Sequence, residues 1–207
     1  MVDQLKAEHL ACMRGDRLLF SGLDFSLRSG ELLYVSGENG AGKSSLLRVL
    51  SGLAMPAQGT VFWSGGDVGK RQEAYRRDML LVSHTDGMKD ELSIAENLRF
   101  ASRLARQDSQ DAGIGDALVA VGLGAYADER AGSLSQGQRR RAGLARLWLS
   151  QARLWLLDEP FVSLDKASVS ILAERIRQHL AAGGMVVLTS HQAVDIQAGA
   201  VHRLHIA

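Results

Sequence analysis

The chain has 207 residues, 24 basic and 23 acidic, and its net charge of +1 gives no overall electrostatic pull toward nucleic acid. Its one cysteine, Cys12, excludes an internal disulfide, fits a reducing compartment and reads as a small buried apolar side chain. No run reaches the ~20 apolar residues that span a bilayer; the densest, residues 144–157, is broken by Arg146, Ser150, Gln151 and Arg153. The opening MVDQLKAEHL has charges where a secretion signal needs apolar residues, so none is expected. A chain of this length suits one buried core with room for an inserted subdomain.

To about Ser29 the pattern predicts short strands and turns, with Leu18 to Phe20 apolar, Gly22 a break, and Leu23 to Leu27 alternating with period two. Arg28-Ser29-Gly30 reads as a turn into the apolar strand Leu32 to Val35. After the glycine-rich stretch Gly37 to Ser45, Leu46, Leu50 and Leu53 give a helix one apolar face, and Gly52 is placed to end it. Gly59 to Trp63 predicts a strand followed by a Gly65-Gly66 turn, and charge-rich Lys70 to Asp78 a solvated helix face. Met79 to Val82 predicts a buried strand that delivers Ser83 and His84 to its end. From His84 to Leu134 the pattern is helical, opened by a capping box at Ser93–Glu96 whose helix continues through Ile94, Leu98 and Ala101. Gln107 to Gly115 reads as a loop and Asp116 to Leu123 as a short helix. The last third alternates: a helix over Gln138 to Ser150, a strand at Leu154 to Leu157, a helix over Ser168 to Leu180, and a strand at Met185 to Thr189. Such alternation predicts a mostly parallel sheet, whose ligands sit at the carboxyl ends of the strands. The Gly37–Ser45 turn, His84, Asp158 and His191 all fall at such ends, which argues for one site.

GENGAGKSS, Gly37 to Ser45, is a glycine-rich turn between a strand and a helix, the context of a phosphate-binding P-loop. Gly37, Glu38, Asn39, Gly40, Ala41 and Gly42 would offer backbone N–H groups to phosphate oxygens, and the helix start adds roughly half a positive charge. Lys43 supplies a full charge for the β- and γ-phosphates of ATP, and the Ser44 hydroxyl, followed by Ser45, is placed to hold Mg²⁺. Leu154 to Pro160 is an apolar strand ending in two acids: Asp158 is placed to hold Mg²⁺, and Glu159 to polarise the attacking water.

Leu134-Ser135-Gln136-Gly137-Gln138 resembles the leucine-serine-glycine-glycine-glutamine signature of ABC-type ATPases, departing at Gln136, and lies between the P-loop and the acidic strand as in that family. Val162 to Asp165 looks like the family's D-loop and Thr189-Ser190-His191 like its switch histidine. The resemblance covers nearly the whole chain. It implies an α/β P-loop fold with a mostly parallel core sheet, an N-terminal antiparallel β part and an inserted helical subdomain: residues 1–83 and 146–207 as core and 84–145 as insertion. It also implies that Ser135, Gln136, Gly137 and Gln138 act on ATP bound to a second copy, that Asp165 links the two sites, and that His191 senses the γ-phosphate. Where the family stacks an aromatic on adenine, this chain has Arg14, which either stacks through its guanidinium or is a surface charge. Where a glutamine reaches Mg²⁺, it has His84, either a metal ligand or a structural hydrogen-bond donor.

His84, the altered signature, and the run Gln138 to Leu149 together resemble the ATP-binding subunits of cytochrome c maturation transporters. That implies an ATPase on the cytoplasmic face of a bacterial inner membrane, peripheral, partnered by its second copy and by polytopic permease subunits handling haem, one of whose cytoplasmic helices docks near His84 to Phe100. A small ABC subunit with another cargo, and a soluble ABC ATPase acting on nucleic acid or the ribosome, are the alternatives. Arg139 to Arg141 read as part of a helix rather than a nucleic-acid patch, and no nucleic-acid partner is expected.

Overall fold

The computed structural model describes residues 4–70, 72–85, 87–105, 111–190 and 194–207, with the backbone alone at 111 and 112. β1 (Gln4–Arg14) and β2 (Arg17–Arg28) form a long antiparallel hairpin, longer than the short strands expected. Register shifts between Ala7 and Met13, with His9 at φ 49°, interrupt the period-two pattern and so hide strand β1 from a reading of alternation. β4 (Gln58–Trp63) and β5 (Gly66–Asp67) complete an antiparallel sheet of order β2-β1-β4-β5.

The second sheet is wholly parallel, in the order β6-β7-β8-β3-β9. Its strands are β3 (Glu31–Gly37), β6 (Met79–Val82), β7 (Leu154–Asp158), β8 (Met185–Thr189) and β9 (Ala200–Ile206). β7 and β8 are central and buried throughout, as unbroken apolarity demands. β6 lies at an edge, so only Leu80 and Val82 are buried and Met79 and Leu81 are half-covered. β9, at the other edge, is a strand that the sequence reading did not include; its polar VHRLH run is exposed over most of its length and carries little apolar signal.

Alternation along the parallel strands divides the core. Leu33, Val35, Leu154, Leu156 and Val187 face α1 (Lys43–Leu50) and the antiparallel sheet, so α1 is buried between two sheets. Leu32, Trp155, Leu157, Val186 and Leu188 face α7 (Lys166–Ala181) through Leu172, Ile176 and Leu180. α1 ends at Leu50, with Gly52 just beyond it; Leu53 therefore lies outside the helix and is 57 % exposed, not part of its apolar face.

α2 (Gln72–Asp78) is charged but buries Tyr75, whose hydroxyl donates to the Leu50 carbonyl at 2.6 Å. A third cluster joins α3 (Ile94–Leu104), α4 (Asp111–Ala120), α5 (Gln136–Leu144) and α6 (Arg146–Leu149) around Leu98, Ile114, Leu118 and Ala142. α4 begins at Asp111, so 111–115 is helical where a loop was expected; burial of Ile114, Ala117 and Leu118 at helical spacing overrides the weak propensity of Gly113 and Gly115. Residues 107–110 of that expected loop lie outside the described residues.

Candidate nucleotide site

The strand β3 ends at Gly37, where the backbone turns with φ 149° and a Cβ would meet the Ile206 carbonyl oxygen of β9 at 2.2 Å. Only glycine lets the turn sit this close to the neighbouring strand. Gly42, at φ 111°, then stands at the N-cap of α1 and packs against Leu19 and Phe20 of the β1–β2 hairpin. No side chain among the described residues caps α1, so the first N–H groups of the helix face the cleft as donors. Lys43 is nearly buried, and its ammonium donates to the carbonyls of Gly37 at 2.9 Å and Glu38 at 3.0 Å, which folds the loop around its own charge.

An open cleft of about 300 Å³ brings together Arg14, Leu19, Asn39, Gly40, Gly42, Lys43, Ser44, Ser45, His84 and Glu159. Gly37, Glu38 and Ala41 complete the loop, with the Ala41 N–H donating to the Glu38 carbonyl at 3.2 Å. Arg14 reaches this wall from the tip of the β1–β2 hairpin, and His84 from the end of β6; both side chains are exposed there.

The two acids at the end of β7 are held differently. Asp158 is 4 % exposed, and its Oδ1 accepts from the hydroxyl of Thr189 at 2.8 Å. That hydroxyl in turn accepts from the backbone N–H of Glu159 at 2.9 Å. Thr189, wholly buried, thus fixes one acid by its carboxylate and the other by its main chain. Glu159 takes the left-handed conformation, φ 48°, uncommon for a residue with a Cβ and frequent at sites that must aim a side chain. Its neighbour Arg140, 8 % exposed, donates to the carbonyls of Ser83, His84, Asp158 and Glu159 at 2.8–3.1 Å. In the sequence Thr189 stands out only beside the switch histidine and Arg140 only in a basic helical run; neither contact is visible without the registers of β6, β7 and β8.

The donor set fits Mg²⁺. A magnesium ion held with phosphate oxygens needs one or two protein oxygens and keeps its waters; Asp158, a buried carboxylate with one oxygen already oriented at the end of β7, and Ser44, a hydroxyl on the first turn of α1 in the cleft lining, are oxygen donors of that kind. Among the described residues no group of three or more His, Cys, Asp and Glu gathers into a cage.

The signature residues do not enter the P-loop cleft. Ser135 is the N-cap of α5: its hydroxyl accepts from the Gln138 N–H at 3.3 Å, while its own N–H donates to the Gln138 side chain at 2.9 Å. Gly137 faces the Ser163 carbonyl. Gln136 lines a second depression of about 410 Å³ with Thr85, Arg140, Val162 and Ser163, and this depression shares His84 and Glu159 with the first. Asp165 caps α7 by accepting from the Ser168 N–H at 2.7 Å, which holds its carboxyl below the usual range. His191 lies outside the described residues.

The family model for ABC transporters matches residues 20–162. A cytochrome c biogenesis ATP-binding export protein of Methylococcus capsulatus is 49 % identical over 93 % of this chain and 93 % of its own length. A protein of the same description from Dechloromonas aromatica is 47 % identical over 98 % and 99 %. Among solved structures, the ATP-binding subunit of an ABC transporter superposes with a TM-score of 0.82 at 26 % identity, covering 90 % of this chain and 79 % of the other. A dimeric ATP-binding cassette bound to ADP and phosphate, at 19 % identity, TM-score 0.81 and coverage of 91 % and 88 %, shares the fold. The match to the family model over residues 20–162 and the likeness to these relatives over nearly the whole chain mean that the chain belongs to the ABC transporter family, in its group of cytochrome c biogenesis ATP-binding export proteins.

Proposed function

We propose that the chain is the ATPase subunit that energises a membrane complex for haem handling in c-type cytochrome biogenesis, and that it works as a pair with two ATP molecules between two copies. The observation that carries the cargo assignment is the 47 % identity to a cytochrome c biogenesis ATP-binding export protein over 98 % of this chain. Among the described residues no helix is long and apolar enough to cross a membrane. This suits a peripheral subunit on the cytoplasmic face of a bacterial inner membrane, docked on polytopic permease subunits.

In the reaction, ATP and water give ADP and phosphate. The β- and γ-phosphates lie over the start of α1, where backbone N–H groups from Gly37 to Ser45 and the Lys43 ammonium receive them. Asp158 and Ser44 would hold Mg²⁺, which supplies charge neutralisation at the phosphates when bound. Glu159 accepts a hydrogen bond from the attacking water and aims it along the line of the γ-phosphorus, and His191, by the family resemblance, would sense the γ-phosphate. Arg14 stacks on the base through its guanidinium, and His84, in the lining of the same cleft, would serve as a metal ligand or as a structural hydrogen-bond donor.

Ser135, Gln136, Gly137 and Gln138 act on the γ-phosphate of the second copy, and Asp165 joins the two sites. Their position outside this chain's own P-loop cleft supports that reading. Groups supplied in trans to phosphoryl transfer are worth ~10³–10⁵ in rate, so turnover per chain rises with protein concentration. The test is affinity purification of the chain from mildly solubilised membranes, with peptide identification of what accompanies it and a haem absorbance spectrum. Cytochrome-assembly permease subunits with haem are the expected result; a permease of unrelated cargo would overturn the haem assignment and leave the ATPase standing.

A further inference from the structure

We propose that Arg140 is a positioning residue that ties the catalytic turn of this chain to the helix carrying its signature motif. The inference rests on reading Glu159 as the carboxylate that orients water. Arg140 is the fifth residue of α5, one and a half turns from the Ser135 cap. Its guanidinium leaves the helix and enters the gap between the ends of β6 and β7. There one terminal nitrogen donates to the carbonyls of Ser83 at 3.0 Å and His84 at 3.1 Å, and the other to those of Asp158 at 3.1 Å and Glu159 at 2.8 Å.

Four carbonyls from two segments receive one planar fork, a geometry that a lysine or glutamine cannot reproduce in full. The consequence falls on Glu159. Its peptide N–H is held by Thr189 and its carbonyl by Arg140, so both sides of a left-handed residue are pinned. Freed of either hold, Glu159 relaxes toward an ordinary conformation and its carboxylate swings away from the cleft.

Since Arg140 rides on α5, a shift of that helix moves this hold. The N-terminal turn of the same helix carries Gln136, which lines the depression shared with His84 and Glu159. Contact of that turn with nucleotide on a second copy is thereby read, through one side chain, at the Glu159 turn and the His84 backbone of this copy.

The test compares full-length Arg140→Gln and Arg140→Lys with the parent chain for steady-state ATP turnover, affinity for a fluorescent ATP analogue, and melting temperature. Arg140→Gln is expected to lower kcat by about tenfold to a hundredfold, since small misplacements of a catalytic group cost that much. KM and nucleotide affinity should stay within about threefold, which marks a loss confined to the transition state. Arg140→Lys recovers part of kcat. A double-mutant cycle between Arg140→Lys and Thr189→Val, which removes the other hold, should be non-additive in kcat because both act on one peptide unit; it decides the matter if Arg140→Gln does not fold.

A kcat within about twofold of the parent in both Arg140 variants, a parallel fall in nucleotide affinity, or strict additivity in the cycle would overturn the proposal. Glu159→Gln run alongside separates the two levels: its loss of turnover with normal Arg140 variants refutes this inference alone, whereas its full turnover removes the reading of Glu159 and the inference with it.

Discussion

One hydroxyl sets the arrangement of both acids at the end of β7. The Thr189 Oγ1 donates to Asp158 Oδ1 and accepts from the Glu159 N–H, and no water reaches it. Thr189→Val keeps the shape and removes both bonds, leaving a buried carboxylate oxygen without its donor. We expect a loss of about 2 kcal/mol in stability, the usual cost of stripping a partner from a buried polar group, and a larger proportional fall in turnover. Thr189→Ser, which keeps the hydroxyl, restores both. Thermal melts and ATP turnover on the two variants check this, and equal behaviour of Val and Ser would refute it. The sequence shows Thr189 as the last residue of a strand and Asp158 as the last of another, but not that they stand side by side. The contact needs the β7–β8 register, which pairs Asp158 with Thr189 and is fixed by burial across the whole sheet. The P-loop was legible for the opposite reason. Its glycines, lysine and serine are contiguous, and the local backbone makes the loop that Arg14, Leu19, His84 and Glu159 wall in from other elements.

α5 shows an element with two duties at one residue. Ser135 closes a capping box with Gln138 and is also the residue the family resemblance directs at a partner's γ-phosphate. The two duties separate by substitution. Ser135→Ala removes the cap and should cost about 1 kcal/mol, together with turnover. Ser135→Asp keeps a strong N-cap acceptor, and a negative charge there also suits the helix N-terminus. It should hold the parent melting temperature while turnover stays low, because its carboxylate repels phosphate. Recovery of turnover by Asp would mean that Ser135 serves only the helix. The same box at Ser93 and Glu96 was legible because an amphipathic run follows it. At Ser135 the following Gln-Gly-Gln-Arg-Arg-Arg run is polar, and the cap is masked by the motif. α4 was misjudged at its start through Gly113 and Gly115, where packing outweighs propensity. β1 was expected shorter than it is, and β9 was missed, because a bulged strand and a polar edge strand lack the regular apolar signal that central β7 and β8 carry.

Across the whole molecule, two apolar clusters cover the faces of the parallel sheet and a third joins α3 to α6, and the join between β7 and α7 contains a titratable ring. His179 stacks on Trp155 with centroids 3.7 Å apart and planes 3° from parallel, and Arg175 lies over the same indole at 5.1 Å. Burial, and next the Arg175 charge, push the imidazole down to about 4 from an ordinary 6.5. A depressed base is neutral in the folded chain while the unfolded chain takes up a proton first, so stability falls as pH drops. The contribution is complete above pH 6.5, declines through the window down to about 4, and falls no further below it. Its full size is about 3 kcal/mol, from the constant that relates a shifted titration to free energy. The lowered carboxyls of Glu174, held by Arg177 and Gln178, and of Glu96, held by Ser93, act only as pH falls below their ordinary 4.5. Between 6.5 and 4.5 the slope of unfolding free energy against pH should therefore carry His179's share. Denaturant titrations at steps through that range measure it. His179→Gln, which does not titrate there, starts less stable for want of the stack but should flatten the slope by that share; an unchanged slope would place the pH dependence elsewhere.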